Sequence, residues 1–362
     1  MTRVRIKDVA EYAGVSTATV SHVVNETRFV SEETRRKVLE AIEVLNYQPS
    51  AIARGLATNA TRTIALIVSD ITNPFFTAVA RGVEDEINRH GYHTILSNTD
   101  EDPEREDEYL RLLSARQIDG LIIAPARIHS ERLSKMSDAG MPIVLIDRGA
   151  AEVRAPLVSV DNEDGAYRAV KYLIELGHRR IGILMGMETI STHVLRLNGY
   201  KCALSEAGLP IDKNLIARTD NWLYLPQVDQ IASSPPKSLT NVQMTPATFN
   251  ALQHLLDLPD RPTAIFVTNN QMTLGTLYAL KERKLHCPDD ISIISFDDHD
   301  WAPLFDPPIT VVRQPTYHLG KTAAALLMQL IHGEEVEYPS PLPVEFMIRE
   351  SCRQIEMGKI YG

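Results

Sequence analysis

The stretch "GVSTATVSHVVN", Gly14 to Asn25, reads as a short helix that begins just after a glycine. Val15, Val20, Val23 and Val24 form an apolar side, while Ser16, Thr17, Thr19, Ser21, His22 and Asn25 occupy the rest of the surface. Nothing in it is acidic, and nothing in it is Lys or Arg. Small hydroxyls, an amide and one imidazole on the outside of a helix need a partner that exchanges hydrogen bonds with them.

The flanking residues supply a frame. Upstream, Ile6, Val9, Ala10 and Ala13 fall on one helical side. Gly14 can then end that helix in the left-handed region without strain, and Ser16 is a good N-cap for the next. Downstream, "NETRF" reads as a loop, and Ser31 caps a third helix. Its first turn holds Glu32 and Glu33, its next turn Arg35 to Lys37, and its inner stripe Val38, Ile42 and Leu45. Ala10, Gly14, Val20 and Val23 have helix-turn-helix spacing: the tight turn needs Gly and the close helix crossing needs Ala. In that motif the second helix enters the major groove of DNA with its N-terminal residues at base edges. Short hydroxyls and an amide reach phosphates and bases there without filling the groove. A plain three-helix bundle with a polar face satisfies the same spacing, so the rest of the chain has to decide.

Next comes "YQPSAIARGLATNATRTIAL". Pro49 suits a first helical turn, Ser50 to Leu56 is a very short helical segment, and "ATNATR" is a polar linker. A helix this short is unstable alone in water. It is expected to form only against its own copy in a dimer and in the DNA minor groove, where Leu56 would wedge open a base step.

From Thr63 the pattern changes to alternating apolar strands and amphipathic helices, and the series runs through twice. The fold class is therefore α/β: an all-α helix-turn-helix head and hinge helix, then two doubly wound parallel-sheet lobes. The expected domains are 1–47 (head), 48–62 (hinge helix and linker) and 63–362 (bilobed body). Within the body, an N-lobe of about 63–161 plus 295–325 and a C-lobe of about 162–294 plus 326–362 are expected. Ligands in such folds sit at the carboxyl ends of strands. Asp70 and Asn73 to Phe76 follow the first strand; Asp147 and Arg148 follow "PIVLID"; Asn269, Asp297 and Gln314 end later strands, and Arg196 opens "RLNGY". Carboxylates, amides and arginines beside Phe suit a polyhydroxyl ligand, whose hydroxyls both donate and accept while its apolar face packs on aromatic carbons. Some of these residues have plainer uses: Asn73-Pro74 suits a helix start, Phe76 a core position, and Gln314 and Asp147 the hinge.

Net charge is −10, but residues 1–62 hold nine Lys and Arg against seven Asp and Glu, leaving 28 against 40 for the remainder. A slightly basic head on an acidic body is compatible with a local DNA-contacting module. Cys202, Cys287 and Cys352 are far apart and in no CxxC pairing, against a disulfide framework or a Cys-based zinc site. The N-terminal "MTRVRIKDVAEYAG" lacks an apolar core, and no run is long and apolar enough to span a membrane, so a cytoplasmic location is expected. No GxGxxG, P-loop, GxSxG or HExxH motif favours an enzyme. No catalytic residue, metal or cofactor is assigned.

The motifs "IKDVAEYAGVSTATVSHVVN", "LNYQPSAIARGL", "SDITNPFF", "PIVLIDRG", "LGHRRIGIL", "RPTAIFVTNNQMTLGTL" and "PDDISIISFDD" together resemble the lactose-repressor (LacI) family of transcription regulators over nearly the whole chain. With Arg28, His22 and Phe29, the head looks closer to the purine-repressor branch. The resemblance implies that Thr17, Ala18 and His22 face bases. It also implies that Ser16, Thr19, Ser21, Asn25 and Tyr47 serve phosphates, with Arg28 near the backbone and Leu56 as wedge. Ala57 stands where some relatives carry Lys. The body looks like a ribose-type periplasmic binding protein, with a similar ligand set at Asn73, Phe75, Phe76, Asp147, Arg148, Arg196, Asn269, Asp297 and Gln314. Where some purine-binding relatives have Arg, this chain has Ile190, which orders the expected effectors as sugar, nucleoside, purine. The Pro/Ser-rich insertion Asn221 to Met244 departs from the family, and Trp222 in it is a candidate aromatic wall. The implied partners are palindromic double-stranded DNA, a small effector and a second copy of the chain. The tail lacks leucine heptads, which predicts a dimer and no tether-linked tetramer. A transporter's solute-binding protein would explain the body but leaves the head unexplained.

Overall fold

The structure is a computed structural model that describes residues 4–25, 28–47, 61–115, 118–219 and 246–355. The chain forms two compact units: residues 1–63 with 117–119, and the remainder.

In the first unit, α1 (Ile6–Ala13), α2 (Thr17–Asn25) and α3 (Glu32–Val44) pack around buried Val9, Ala10, Val20, Val23, Val38 and Ala41. Gly14 ends α1 at φ +67°, and its N–H donates to the Ala10 and Glu11 carbonyls. A side chain there would strain the turn. Ser16 Oγ accepts from the Thr19 N–H at 3.1 Å, the capping bond that starts α2. Ser31 does the same for α3, accepting from Thr34.

The second unit holds two sheets. The first has the order β2-β1-β3-β4-β5, built from β1 (Thr63–Val68), β2 (His93–Asn98), β3 (Gly120–Ile123), β4 (Ile143–Ile146) and β5 (Leu157–Val158). The second has the order β11-β10-β9-β8-β6-β7, built from β6 (Ile181–Met185), β7 (Ile216–Arg218), β8 (Ala264–Val267), β9 (Ser292–Phe296), β10 (Thr310–Arg313) and β11 (Glu345–Met347). Neighbouring strands such as β1 and β3 or β8 and β9 run parallel; β11 is antiparallel to β10. Strands of continuous Ile, Leu and Val are buried on both faces, as parallel sheets require. In the second sheet Ile183, Phe266 and Ile294 join one apolar cluster, while Leu184, Ile265 and Ile293 join another.

The helices of this unit are α4 (Pro74–Arg89), α5 (Pro103–Ala115), α6 (Glu131–Asp138), α7 (Asn162–Glu175), α8 (Ser191–Glu206), α9 (Pro246–Leu256), α10 (Asn270–Glu282) and α11 (Thr316–Ile331). α4 packs on α11 beside the first sheet, and α7 on α8 beside the second. Both crossings are close because glycine forms them. A Cβ on Gly320 would lie 2.0 Å from the Val79 carbonyl oxygen, and one on Gly199 2.2 Å from that of Glu163.

The lobe boundaries differ from the sequence expectation. β9 extends the ladder of β8, and β10 that of β9, so residues 295–313 belong to the second lobe. The chain crosses back only at Gln314–Pro315, and α11, which runs to Ile331, packs wholly with first-lobe elements. It then returns to pair β11 in the second sheet. The sequence series ended at β10 and gave neither α11 nor the antiparallel edge strand.

Candidate functional site

Two regions concentrate the expected functional residues. In the head, Ser16, Thr17 and Ala18 are exposed at the N-terminal end of α2. Thr19, Ser21 and His22 are half-buried on the same helix, and Asn25 is its last residue. The Ser16 and Thr19 hydroxyls are hydrogen-bonded to each other at 2.9 Å, so part of the polar crowd is organised before any partner arrives. Arg28 is exposed beside Phe29, whose side chain is 97% exposed. Tyr47 packs against the head's core. Leu56, Ala57 and the hinge segment lie outside the described residues, as do Trp222 and the insertion.

In the second unit, a pocket is lined by Asn73, Phe75, Phe76, Asp147 and Arg148 from the first lobe. Thr192, His193, Arg196, Asn269 and Asp297 line it from the second, and Gln314 from the crossover. Its cavity volume is about 30 Å³, far below the roughly 300–1,000 Å³ of small-ligand sites, so the lining here closes on itself. Nine expected residues thus stand around one cavity.

Local structure explains why. Asn73 caps α4 by accepting from the Phe75 N–H at 3.0 Å, and Asn269 caps α10 by accepting from Met272 at 2.8 Å. Asp147 and Asp297 each follow a strand end with positive φ, +63° and +79°. Each donates its N–H to the neighbouring strand, to Val158 and Val312 carbonyls at 2.9 Å. Non-glycine residues in the left-handed region carry a strain cost that clusters at functional sites. Here the turn aims a carboxylate into the cleft from each lobe.

The two halves differ electrostatically. Arg148 grips Glu101 with both terminal nitrogens at 2.6 Å and lies 3.4 Å from Asp147. Burial opposes its charge, but Glu101 and then Asp147 outweigh this and hold the guanidinium above its ordinary range. It is the Nε that faces Asp147, at ion-pair distance and without a close hydrogen bond among the described residues. Arg196 has no such carboxylate pair among the described residues. It donates to Asn162 Oδ1 at 2.8 Å and to the Thr268 carbonyl at 2.5 Å, and stacks 3.6 Å above the Phe296 ring. Burial pulls its pKa down, with Asp297 and Asp147 pulling up. Burial pushes the Asp147 carboxyl up, against Arg148 and Arg196. Gln314 donates to Asp297, and its own Oε1 has no partner among the described residues. Phe75 and Phe76 meet edge to face, 4.9 Å between centroids.

The lobes touch on both sides of this pocket. Asn270 Nδ2 donates to Asn73 Oδ1 at 2.7 Å and also meets His299. Opposite, the Ile128 N–H donates to the Thr189 carbonyl at 3.0 Å, and the Gly149 N–H to Ser191 Oγ at 2.9 Å. The cleft is held closed by hydrogen bonds from the protein itself.

Comparison with known proteins agrees with both regions. Residues 5–50 match the family described as bacterial regulatory proteins, lacI family. Residues 61–224 match the periplasmic binding proteins and sugar binding domain of the LacI family, and 170–352 a periplasmic binding protein-like domain. A Vibrio atlanticus protein named HTH-type transcriptional repressor PurR is 40% identical over 334 residues, 92% of this chain and 93% of its own.

The chain belongs to the LacI family.

Among solved LacI-family structures, the lac repressor dimer bound to operator and the anti-inducer ONPF is 27% identical at a TM-score of 0.78, covering 97% of this chain and 100% of its own. A LacI-family regulator from Enterococcus faecium with bound ribose is 29% identical at 0.67, covering 81% and 100%. As a member of this family the chain is a DNA-binding transcriptional regulator and not an enzyme. No helix among the described residues is long and apolar enough to cross a membrane.

One residue expected at the ligand from its strand-end position, Asp70, is not among those lining the pocket. Asp70 turns Oδ1 back to accept from the Thr72 N–H at 2.8 Å and the Thr72 hydroxyl at 2.6 Å, a local turn that orients the carboxylate. Two lining residues were missed, Thr192 and His193. α8 begins at Ser191, well before "RLNGY", and its first turn faces the cleft. His193 Nδ1 lies 3.0 Å from the Met187 carbonyl, and burial, then Arg148 and Arg196, lowers its pKa to about 3. His299, in the loop after β9, reaches Asn270. Asp298, next to Asp297, is held by Arg313 at 2.8 Å and Arg349 at 2.7 Å and serves as a structural ion pair.

Proposed function

We propose that this protein is a dimeric, operator-binding repressor of the cytoplasm whose DNA affinity is switched by a small neutral sugar in the interlobe pocket. The observation that carries the effector class is the charge balance of the lining. Arg148 and Arg196 face Glu101, Asp147 and Asp297, with the Asp147 carboxyl pushed toward its neutral form. No net positive charge remains to bind an anion such as a sugar phosphate. Gln314 Oε1, without a hydrogen-bond partner among the described residues, asks for a donor, which a sugar hydroxyl supplies. The edge-to-face Phe75–Phe76 pair forms a wall and no parallel slot between its rings for a flat base. The ribose-bound relative supports the same class.

On DNA, the exposed start of α2 enters the major groove, with Thr17, Ala18 and His22 at bases and Ser16, Thr19, Ser21, Asn25, Arg28 and Tyr47 at the backbone. Leu56 serves the minor groove. The lac repressor dimer on operator supports two copies reading two half-sites. The effector acts through its different affinity for two pairings of the lobes.

Calorimetric titration of the full-length protein with D-ribose, D-glucose and cellobiose, against their phosphates and against adenosine and hypoxanthine, tests the effector class. Binding of a neutral sugar with no binding of its phosphate is expected. Binding of the phosphate or the purine alone would overturn the reading.

A further inference from the structure

Asn73 caps α4 and Asn270 is the first residue of α10, so two helix starts from opposite lobes meet beside the pocket. Both side chains are buried, and His299 reaches Asn270 from the loop after β9. The direction of each hydrogen bond in this row follows from its neighbours. Asn73 Oδ1 accepts from the Phe75 N–H at 3.0 Å, so the oxygen of that amide is fixed in place. It needs a donor from across the cleft, and Asn270 supplies Nδ2 at 2.7 Å. Asn270 Oδ1 accepts from the Gln271 N–H at 2.6 Å and from Asn73 Nδ2 at 3.4 Å, which sets the same orientation independently.

The second hydrogen of the Asn270 amide is left for His299 Nε2. An amide nitrogen only donates, so Nε2 accepts, and the ring is neutral with its proton on Nδ1. Burial favours the same neutral form, against the pull of Asp297, Asp298 and Asp300. Asp298 is committed to Arg313 and Arg349, and Asp297 accepts from Gln314. The second lobe holds the ring in place: it stacks on Trp301, 5.6 Å between centroids and 24° between planes, and Trp301 packs against Ala302, Ile309 and Val311. Without an acceptor at Nε2, the Asn270 amide would keep a buried hydrogen unpaired, which is costly enough to turn it away from Asn73.

We infer that His299 is a positioning residue of the lobe switch: as a fixed neutral acceptor it aims Asn270 across the cleft at Asn73 and so holds the lobes shut at the rim of the pocket. The inference concerns closure of the lobes on each other and stands apart from the identity of the effector.

Closure can be read on the opposite side of the pocket. There the Ile128 and Gly149 N–H groups of the first lobe donate to the Thr189 carbonyl and Ser191 Oγ of the second. Their hydrogen exchange reports opening of the cleft, and a residue with only a local packing role at the other rim would leave it unchanged. Hydrogen–deuterium exchange of the full-length protein near neutral pH, read by mass spectrometry on peptides spanning Ile128 and Gly149, compares four variants with the wild type. His299→Leu removes the acceptor. His299→Gln places an amide oxygen where Nε2 stood. Asn73→Ser keeps a capping hydroxyl for α4 but is too short to meet Asn270. The fourth combines His299→Leu with Asn73→Ser.

Exchange at both peptides should quicken about tenfold in His299→Leu, the equivalent of about 1.4 kcal/mol in the opening equilibrium, equally in Asn73→Ser, and no further in the double variant. His299→Gln should stay within about twofold of the wild type. Peptides over the buried strands β1 and β9 control for folding. Should His299→Leu lose protection there too, Asn73→Ser and His299→Gln decide. Quickening confined to the far-side peptides in the first, with wild-type exchange in the second, upholds the inference, and any other pattern overturns it. Far-side exchange unchanged in folded His299→Leu or in Asn73→Ser, additive effects in the double variant, or a Gln variant as open as the Leu variant would equally overturn it.

Discussion

The two lobes bring matching parts to the pocket and treat them differently. Each offers a capping Asn, Asn73 or Asn269, and an Asp in a left-handed turn, Asp147 or Asp297. Each adds a buried arginine. The first lobe neutralises its own, through the Arg148–Glu101 fork and Asp147. The second holds Arg196 with a side-chain amide, a backbone carbonyl and the face of Phe296. One half of the site therefore pairs its guanidinium directly within its lobe, while the other holds Arg196 through neutral groups, with Asp297 of the same lobe and Asp147 across the cleft acting on it without a direct ion pair among the described residues. Substitutions in the first half should damage the fold, and those in the second the response to effector.

Glu101→Gln tests the first half hardest. It leaves Arg148 buried without its carboxylate. Removing one partner of a buried ion pair costs about 3–5 kcal/mol, and the retained amide places this change near 3. Denaturant unfolding should show that loss with a smaller change in effector affinity. Equal stability would mean that the fork contributes nothing and that the lobes are alike.

Acid should come next, and it acts through the second lobe. His193 titrates near 3 and His178 near 4, both below the ordinary 6.5 because of burial. Between the unfolded and folded values the unfolded chain binds more protons, so stability is full above about pH 6.5 and falls as pH drops. For His193 alone the loss at pH 4 is roughly 3 kcal/mol. His193→Asn should flatten that part of the profile in chemical denaturation at pH 8, 6, 5 and 4. An unaltered profile would place the acid sensitivity elsewhere.

Arg196→Met should cost least in stability. It orphans two neutral acceptors, Asn162 Oδ1 and the Thr268 carbonyl, at about 1–3 kcal/mol together. Effector affinity should fall about a hundredfold, the equivalent of two lost charge-assisted bonds at about 1.5 kcal/mol each. A variant that still binds effector normally would reverse the comparison.

Much of this was legible because strand ends are legible. Apolar runs marked the parallel strands, and the polar residues just beyond them had one direction to face, the cleft. The argument failed where local hydrogen bonding competed. Asp70 sits at a strand end like Asp147, yet Thr72 two residues later captures its carboxylate. It failed again at α8, where periodicity placed the helix at Arg196 and its earlier turn, with Thr192 and His193, carried no pattern of its own. The lobe boundaries were hidden because alternation of strand and helix does not say which sheet a strand joins; only the pairing of β9 and β10 does. The head was readable residue by residue, since its caps at Ser16 and Ser31 and its glycine turn are short-range features.

The most direct test of the whole account is operator binding by the full-length protein, on a palindromic duplex selected from random DNA, followed by fluorescence anisotropy with and without the sugar found by titration. The account predicts a preference for the palindrome over unrelated duplex, a shift of at least about tenfold in dissociation constant on adding sugar, about 1.4 kcal/mol of coupling, and loss of that shift in Arg196→Met. A protein that selects no palindrome, or whose DNA affinity ignores every ligand the pocket binds, would contradict it.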